Sequence, residues 1–244
     1  MKYKIIFSYD GSNFYGYAKQ PGLKTVQGTI EEKISLILND ETSLSASGRT
    51  DKGVHALNQV ATFVSNKKIE NKSKFLYSLN KLLNQEIYIK SLTRVSENFD
   101  VRLDAKSKTY EYLIYFGHFD PLKRKYALNI NDKNFNFSLF KLALERFIGK
   151  HSFMNFCSKE EDQFDFVRIV YDIKVIKKGS LYKIKLTGDG FMRYQVRKII
   201  QTSIEVAKGK IDIDYIDEYL NKKERNIVPF TAEPYALYLV KVTY

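Results

Sequence analysis

The stretch "SASGRTDKGVHA", residues 45 to 56, sets an arginine, a threonine and an aspartate between two glycines. Arg49 and Asp51 stand two residues apart, with Gly48 and Gly53 on either side. Ser, Thr, Asp and Gly are turn formers, so the stretch predicts a loop. Most loop carboxylates only face water. One held in a cleft can instead act as a nucleophile or accept a proton. Such a cleft also needs a cation, because removal from water favours the neutral acid. Arginine is therefore the residue to follow, since its rigid fork binds a carboxylate in a way lysine cannot. Only nine of the 40 basic residues are Arg. Three of them, Arg49 and the pair Arg193 and Arg197 in "DGFMRYQVRKII", are candidates for geometric work.

Other chemistries find no residues to carry them. His55, His118 and His151 are scattered, and with one cysteine the H-x-E and P-C-x-x-C pattern of zinc deaminases is absent. No G-x-x-x-x-G-K-[ST] phosphate loop is present, and "GDGFMR" is a truncated echo of a dinucleotide fingerprint. Asp212, Asp214 and Asp217 cluster in "DIDYID", which reads as a solvated acidic helix start rather than a magnesium site. What remains is carboxylate chemistry that calls for no metal and no cofactor.

The chain has 244 residues, 44% of them hydrophobic, enough for one large domain or two sub-domains. Its net charge of +12 and sequence pI near 9.4 point to a polyanionic partner, nucleic acid first. No apolar run reaches membrane-spanning length, and "MKYKIIFSYDGS" lacks the apolar core of a signal peptide. The single cysteine, Cys157, cannot close an internal disulfide, which fits a reducing cytoplasm; beside Phe153 and Phe156 it predicts packing.

The elements that must position these residues follow from hydrophobic period. "KYKIIFSYD" alternates, with Tyr3, Ile5, Phe7 and Tyr9 on one face of a strand. "TVQGTIEEKISLIL" has Val26, Ile30, Ile34 and Ile37 at helical spacing behind a Thr25 cap. Residues 66 to 74, "NKKIENKSK", read as a solvated linker. A strand at 58 to 64, a helix in "SKFLYSLNKLL" and an aromatic strand at 107 to 116 follow. "SLFKLALERFIGK" predicts a helix capped by Ser138 and closed by Gly149. A hairpin then turns at Gly179 and Ser180. A helix in "VRKIIQTSIEVAKG" carries a buried stripe of Val196, Ile199, Ile200 and Ile204. A short helix near "DYIDEYL" and a strand in "ALYLVKVTY" complete the pattern. Without a regular βαβ rhythm the class is α+β. "YKIIFSYDG" and "YKIKLTGDG" echo each other, from Tyr3 to Asp10 and from Tyr182 to Asp189. Two copies are too few for a repeat array. They fit two similar antiparallel-sheet-plus-helices halves, residues 1–105 and 106–244, with a central basic cleft, and they fit chance equally well.

"SGRTDKGVHALNQVATF" resembles the signature of the TruA family of tRNA pseudouridine synthases, G-R-T-D-A-G-V-H-A. The resemblance extends over the chain, through "YDGSNFYGYAKQPGLKTVQGTIE", "FDVRLDAKSKTYEYLI", "GDGFMRYQVRKII" and "TAEPYALYLVKVTY". It implies a pseudo-symmetric pseudouridine synthase fold, no cofactor, and isomerisation of uridine at tRNA positions 38 to 40 by a homodimer. It implies Asp51 as the catalytic aspartate, Arg197 as its paired arginine and Tyr110 as the active-site tyrosine. Arg49 is placed to support the site, and Arg193, Lys198 and Lys108 are candidates for the RNA backbone. The chain departs from the family at Tyr17 and Ala18 (Trp-Gln), Lys52 (Ala), Asp100 (His) and Ala236 (Gly). A non-catalytic tRNA-binding protein on the same scaffold, or a synthase with another RNA target, are the alternative readings.

Overall fold

The first strand, β1 (Lys2–Tyr9), buries Tyr3, Ile5, Phe7 and Tyr9, as its alternation requires. The computed structural model describes residues 1–158 and 165–244. The chain divides into two compact units, one of Met1–Lys106 with Tyr238–Tyr244 and one of Ser107–Leu237. The closing strand thus lies with the N-terminal unit, whereas the sequence division at 105 and 106 assigns it to the C-terminal half.

In the first unit, helix α1 (Val26–Leu38) begins at Thr25, whose side chain accepts from the Gly28 N–H. Short β2 (Leu44–Ala46) pairs with β3 (His55–Val64), and α2 (Lys72–Leu82) leads into β4 (Ile87–Val95). Strand β1 lies between β3 and β4 and is antiparallel to both. Tyr3 stacks on Phe63 of β3, and Phe63 on Phe75 of α2, which ties helix to sheet. The β1–β3 register shifts between Phe7 and Tyr9, an irregularity that lies beside the point where the loop after β2 enters β3.

Residues 66 to 74 are exposed except for Ile69, in keeping with the expected solvated segment, but they are also tied down. Lys67 donates through Nζ to the Leu38 carbonyl at 2.7 Å, and the buried Ile69 donates its N–H to Tyr3 Oη at 3.0 Å. Asn71 caps α2 by accepting from the Lys74 N–H at 2.9 Å. Backbone and side-chain hydrogen bonds therefore order a segment whose composition suggested none.

The second unit opens with β5 (Ser107–Phe116), beside which short β6 (Leu128–Ile130) runs parallel. Helix α3 (Phe137–Glu145) is followed by β7 (Gly149–Ser152), β8 (Val167–Lys178) and β9 (Leu181–Gly188). β5, β9, β8 and β7 form an antiparallel run in that order, and β8 and β9 are the hairpin predicted around Gly179. Helix α3 corrects the sequence reading at both ends. Its cap is Asn136, which accepts from the Leu139 N–H at 2.9 Å, two residues before Ser138. Gly149 does not close it; at φ +117° it opens β7, opposite Val170.

Helix α4 (Gln195–Ala207) is buried over a wider arc than its predicted apolar stripe. Thr202 and Ser203 are buried with it, and Ser203 satisfies its hydroxyl by donating to the Ile199 carbonyl at 2.9 Å. Cys157 is buried, as expected of a packing residue. Helix α5 (Asp214–Asn221) carries two of the clustered aspartates in its first turn, and Asp217 pairs with Arg146 at 2.9 Å. Among the described residues no group of three His, Cys, Asp or Glu side chains could hold a metal ion, and no helix is long and apolar enough to cross a membrane. Strand β10 (Leu237–Thr243) returns to run parallel to β3, with Tyr238 opposite His55. The architecture is mixed α+β with mostly antiparallel strands.

Candidate active site

Asp51 lies in the loop joining β2 to β3, and the buried residues around that loop leave it little freedom. Ser47 donates its N–H to the Val60 carbonyl at 2.9 Å and its hydroxyl to Gln59 Oε1 at 3.0 Å. Gln59 is fully buried and donates in turn to the Gly48 carbonyl at 3.1 Å. Beyond Arg49, the buried Thr50 shares a hydrogen bond with Tyr9 Oη at 2.7 Å. Burial pushes the Tyr9 phenol up to about 12, so it stays protonated as part of this contact. The Thr50 carbonyl accepts from the Tyr17 N–H at 3.0 Å, and the Asp51 carbonyl from the Val54 N–H at 3.1 Å. Gly53, at φ +81°, supplies the left-handed residue this turn needs.

The segment after β1 closes on the loop from outside. A Cβ at Gly16 would stand 3.3 Å from both the Thr50 oxygen and the Lys52 nitrogen, and Gly16 has φ +96°. At Gly11 a Cβ would fall 2.1 Å from the Val54 oxygen. Only glycine allows the two backbones to meet this closely. Gly11 donates its N–H to His55 Nδ1 at 3.0 Å, the Asp10 carboxylate lies 3.2 Å from the same nitrogen, and the imidazole stacks on Tyr238 with centroids 4.7 Å apart. Asp51 itself is half-buried, while Arg49 and Lys52 on either side of it are exposed.

In the second unit, Tyr110 lies on β5 opposite Leu186 of β9, nearly buried, with Phe191 edge-on at 5.5 Å. Tyr112, two residues on, is fully buried and donates to the Glu233 carbonyl at 3.0 Å; burial pushes its phenol far up. Lys108, half-buried, stands opposite Gly188. Arg197, in the first turn of α4, donates through Nε to the Ala232 carbonyl at 2.6 Å, and the Ala232 N–H returns a bond to the Arg197 carbonyl at 3.1 Å. Its guanidinium carbon lies 4.8 Å from the centroid of Tyr194. Arg193 approaches the same ring at 4.9 Å and also donates to its hydroxyl at 3.2 Å. Tyr194 holds φ +65°, a left-handed conformation uncommon for a residue with a side chain.

Lys198 is a correction. It is 5% exposed, and its ammonium donates inward to the Val228 carbonyl at 2.5 Å. Burial lowers its pKa from the ordinary lysine value. It braces α4 and does not present a charge to an RNA backbone. Sequence reasoning also passed over Tyr9, Gln59 and Gly16, which hold the Asp51 loop, and Tyr194, which sits between two arginines. The glycines at 11 and 16 on the threshold of the loop were the signal available for the first group.

A family model described as tRNA pseudouridine synthase matches residues 5–104 and 143–244. The chain belongs to that family. It is 38% identical over 242 residues to tRNA pseudouridine synthase A of Acetivibrio thermocellus, covering 99% of this chain and 98% of that protein. To tRNA pseudouridine synthase A 2 of Bacillus cereus it is 37% identical over 245 residues, covering 99% of each. To the synthase A of Caldicellulosiruptor bescii it is 37% identical over 241 residues, 98% of each. A solved Cbf5-Nop10-Gar1 complex aligns over 97% of this chain and 57% of that chain, with 13% identity and a TM-score of 0.36.

The departures from the family signature fall on unlike surroundings. Tyr17 is buried, its hydroxyl has no hydrogen-bond partner among the described residues, and burial pushes its ionisation far up. Ala236 is fully buried. Asp100 is exposed and accepts from the N–H groups of Arg102 and Leu103 at 2.7 and 2.8 Å, bonds that hold its carboxyl below the usual range. Lys52 is exposed and rests over the ring of Tyr15.

Proposed function

We propose that this chain isomerises uridine to pseudouridine at positions 38, 39 and 40 in the anticodon stem-loop of tRNA, with Asp51 as the catalytic carboxylate. The observation that carries the reading is the fixed Asp51 loop in a chain that belongs, over both units, to the tRNA pseudouridine synthases. The reaction breaks the bond from ribose C1′ to uracil N1, turns the base, and forms the bond from C1′ to C5, while the C5 proton leaves and N1 takes one up. No electrons and no external group enter, so side chains suffice. Asp51 acts at the sugar or base as nucleophile or proton acceptor.

Arg197 is the arginine that pairs with Asp51 in this reading, and a guanidinium there favours the ionised carboxylate. Its tethering to Ala232 and Tyr194 supports a role that depends on orientation. Tyr110 stacks on the flipped uracil, and Arg49 occupies the stack that the base leaves. Lys108 and Arg193 take phosphates. The enzyme works as a cytoplasmic homodimer without a cofactor. Chemical mapping of pseudouridine in unmodified tRNA transcripts tests the target: the expected result is modification at 38 to 40. Modification confined to other positions or to another RNA would assign a different substrate, and tRNA binding without any modification would favour the non-catalytic alternative.

A further inference from the structure

Lys52 follows Asp51 directly, and its ammonium lies 4.2 Å from the ring centroid of Tyr15. In the first unit Lys19 meets the carboxylate of Glu31, Lys24 that of Glu86 and Lys33 that of Glu32, whereas Lys4 and Lys81, like Lys52, lie over aromatic rings. Among the described residues Lys52 has no carboxylate within ion-pair distance, and the ring face is its partner. Tyr15 is 47% exposed, yet its backbone is pinned, its N–H donating to the Lys24 carbonyl at 2.9 Å and its carbonyl accepting from Gln20 at 3.0 Å. The backbone of Lys52 is confined as well, since its nitrogen abuts Gly16. A cation without a counter-ion is thus held by an aromatic face, on a fixed loop, one residue from the candidate catalytic carboxylate. Cation–π contact orders the ammonium while leaving its N–H donors available to an anion.

We propose that Lys52, held by Tyr15, binds a phosphate of the RNA strand beside the target nucleotide. The inference rests on the reading of Asp51 as an RNA-facing catalytic residue. The test uses the full chain carrying Asp51→Asn, so that substrate persists, and measures binding of an unmodified tRNA transcript over a series of salt concentrations. Removing one phosphate contact lowers the slope of log affinity against log salt by about 0.7–0.9. Lys52→Ala is expected to lose that amount, with Lys52→Arg restoring it. Tyr15→Leu is expected to weaken binding in the Lys52 background and to add nothing to Lys52→Ala. An unchanged slope in Lys52→Ala, in a protein that melts like its parent, would overturn the inference while leaving the enzyme reading intact. Absence of tRNA binding and turnover in the unsubstituted chain would instead remove both. Weaker binding with an unchanged slope would assign Lys52 to packing Tyr15 and also overturn the phosphate contact.

Discussion

Arg197 shows how a side chain can be specified by more than its charge. Its Nε–H is committed to the Ala232 carbonyl, and its guanidinium carbon lies 4.8 Å from the centroid of the Tyr194 ring, two contacts that constrain the fork. Lysine keeps the charge but offers neither the second donor position nor the flat face. Arg197→Lys is therefore expected to lower kcat/KM by about 10- to 100-fold, the effect of losing one hydrogen bond to a charged group. Steady-state kinetics on a tRNA transcript measure it, and wild-type values would contradict the role given to Arg197. Lys198, the next residue, carries the opposite lesson. It stood as a candidate for the RNA backbone, but helical rotation turns it inward to the Val228 carbonyl. A residue's charge is legible in a sequence; whether a helix aims that charge at water or at a carbonyl depends on the neighbours across the fold.

At the scale of elements, the Asp51 loop is rigid because β1, the segment after it and β3 converge on it. The segment after β1 approaches through two glycines, Gly11 and Gly16. Gly16→Ala is expected to cost about 1–3 kcal/mol of stability, since alanine must adopt a positive φ and press on the Thr50 and Lys52 backbone. Denaturant unfolding checks this, and an unchanged midpoint would mean that the loop yields. Much of the element order could be read from the sequence. β1 and the stripe of α4 came from their periods, and the hairpin of β8 and β9 from its turn. Asn136, Asn71 and Ile69 order segments through single tertiary or capping contacts that leave no periodic trace, so the start of α3 was misplaced and the anchoring of the exposed segment 66 to 74 was not foreseen. The Asp51 loop was legible as a motif, but Gln59 and Tyr9, which hold it, look like ordinary strand residues until the chain is folded.

Across the whole molecule, several phenols that burial keeps protonated, three of them deep in the core, make stability sensitive to alkali. Tyr9, Tyr17 and Tyr112 all have ionisation raised from the ordinary 10.0, Tyr9 to about 12 and the others further. The folded state thus holds protons that the unfolded chain releases above 10.0. Their contribution is fully present below that pH and falls as pH rises toward the folded values, by about 1.4 kcal/mol per pH unit for each phenol. Urea unfolding between neutral pH and pH near 11 measures this; a flat profile would contradict the burial of these hydroxyls. The net charge of +12 was visible from composition and announced a polyanion, but which surface carries it to RNA was not.

The central claim is that Asp51 performs the isomerisation. Release of tritium from C5-labelled uridine in an unmodified tRNA, with wild type and Asp51→Asn side by side, tests it most directly. The account predicts release by the wild type, none by Asp51→Asn, and tRNA affinities within a few-fold of each other. Clear release by Asp51→Asn would contradict it.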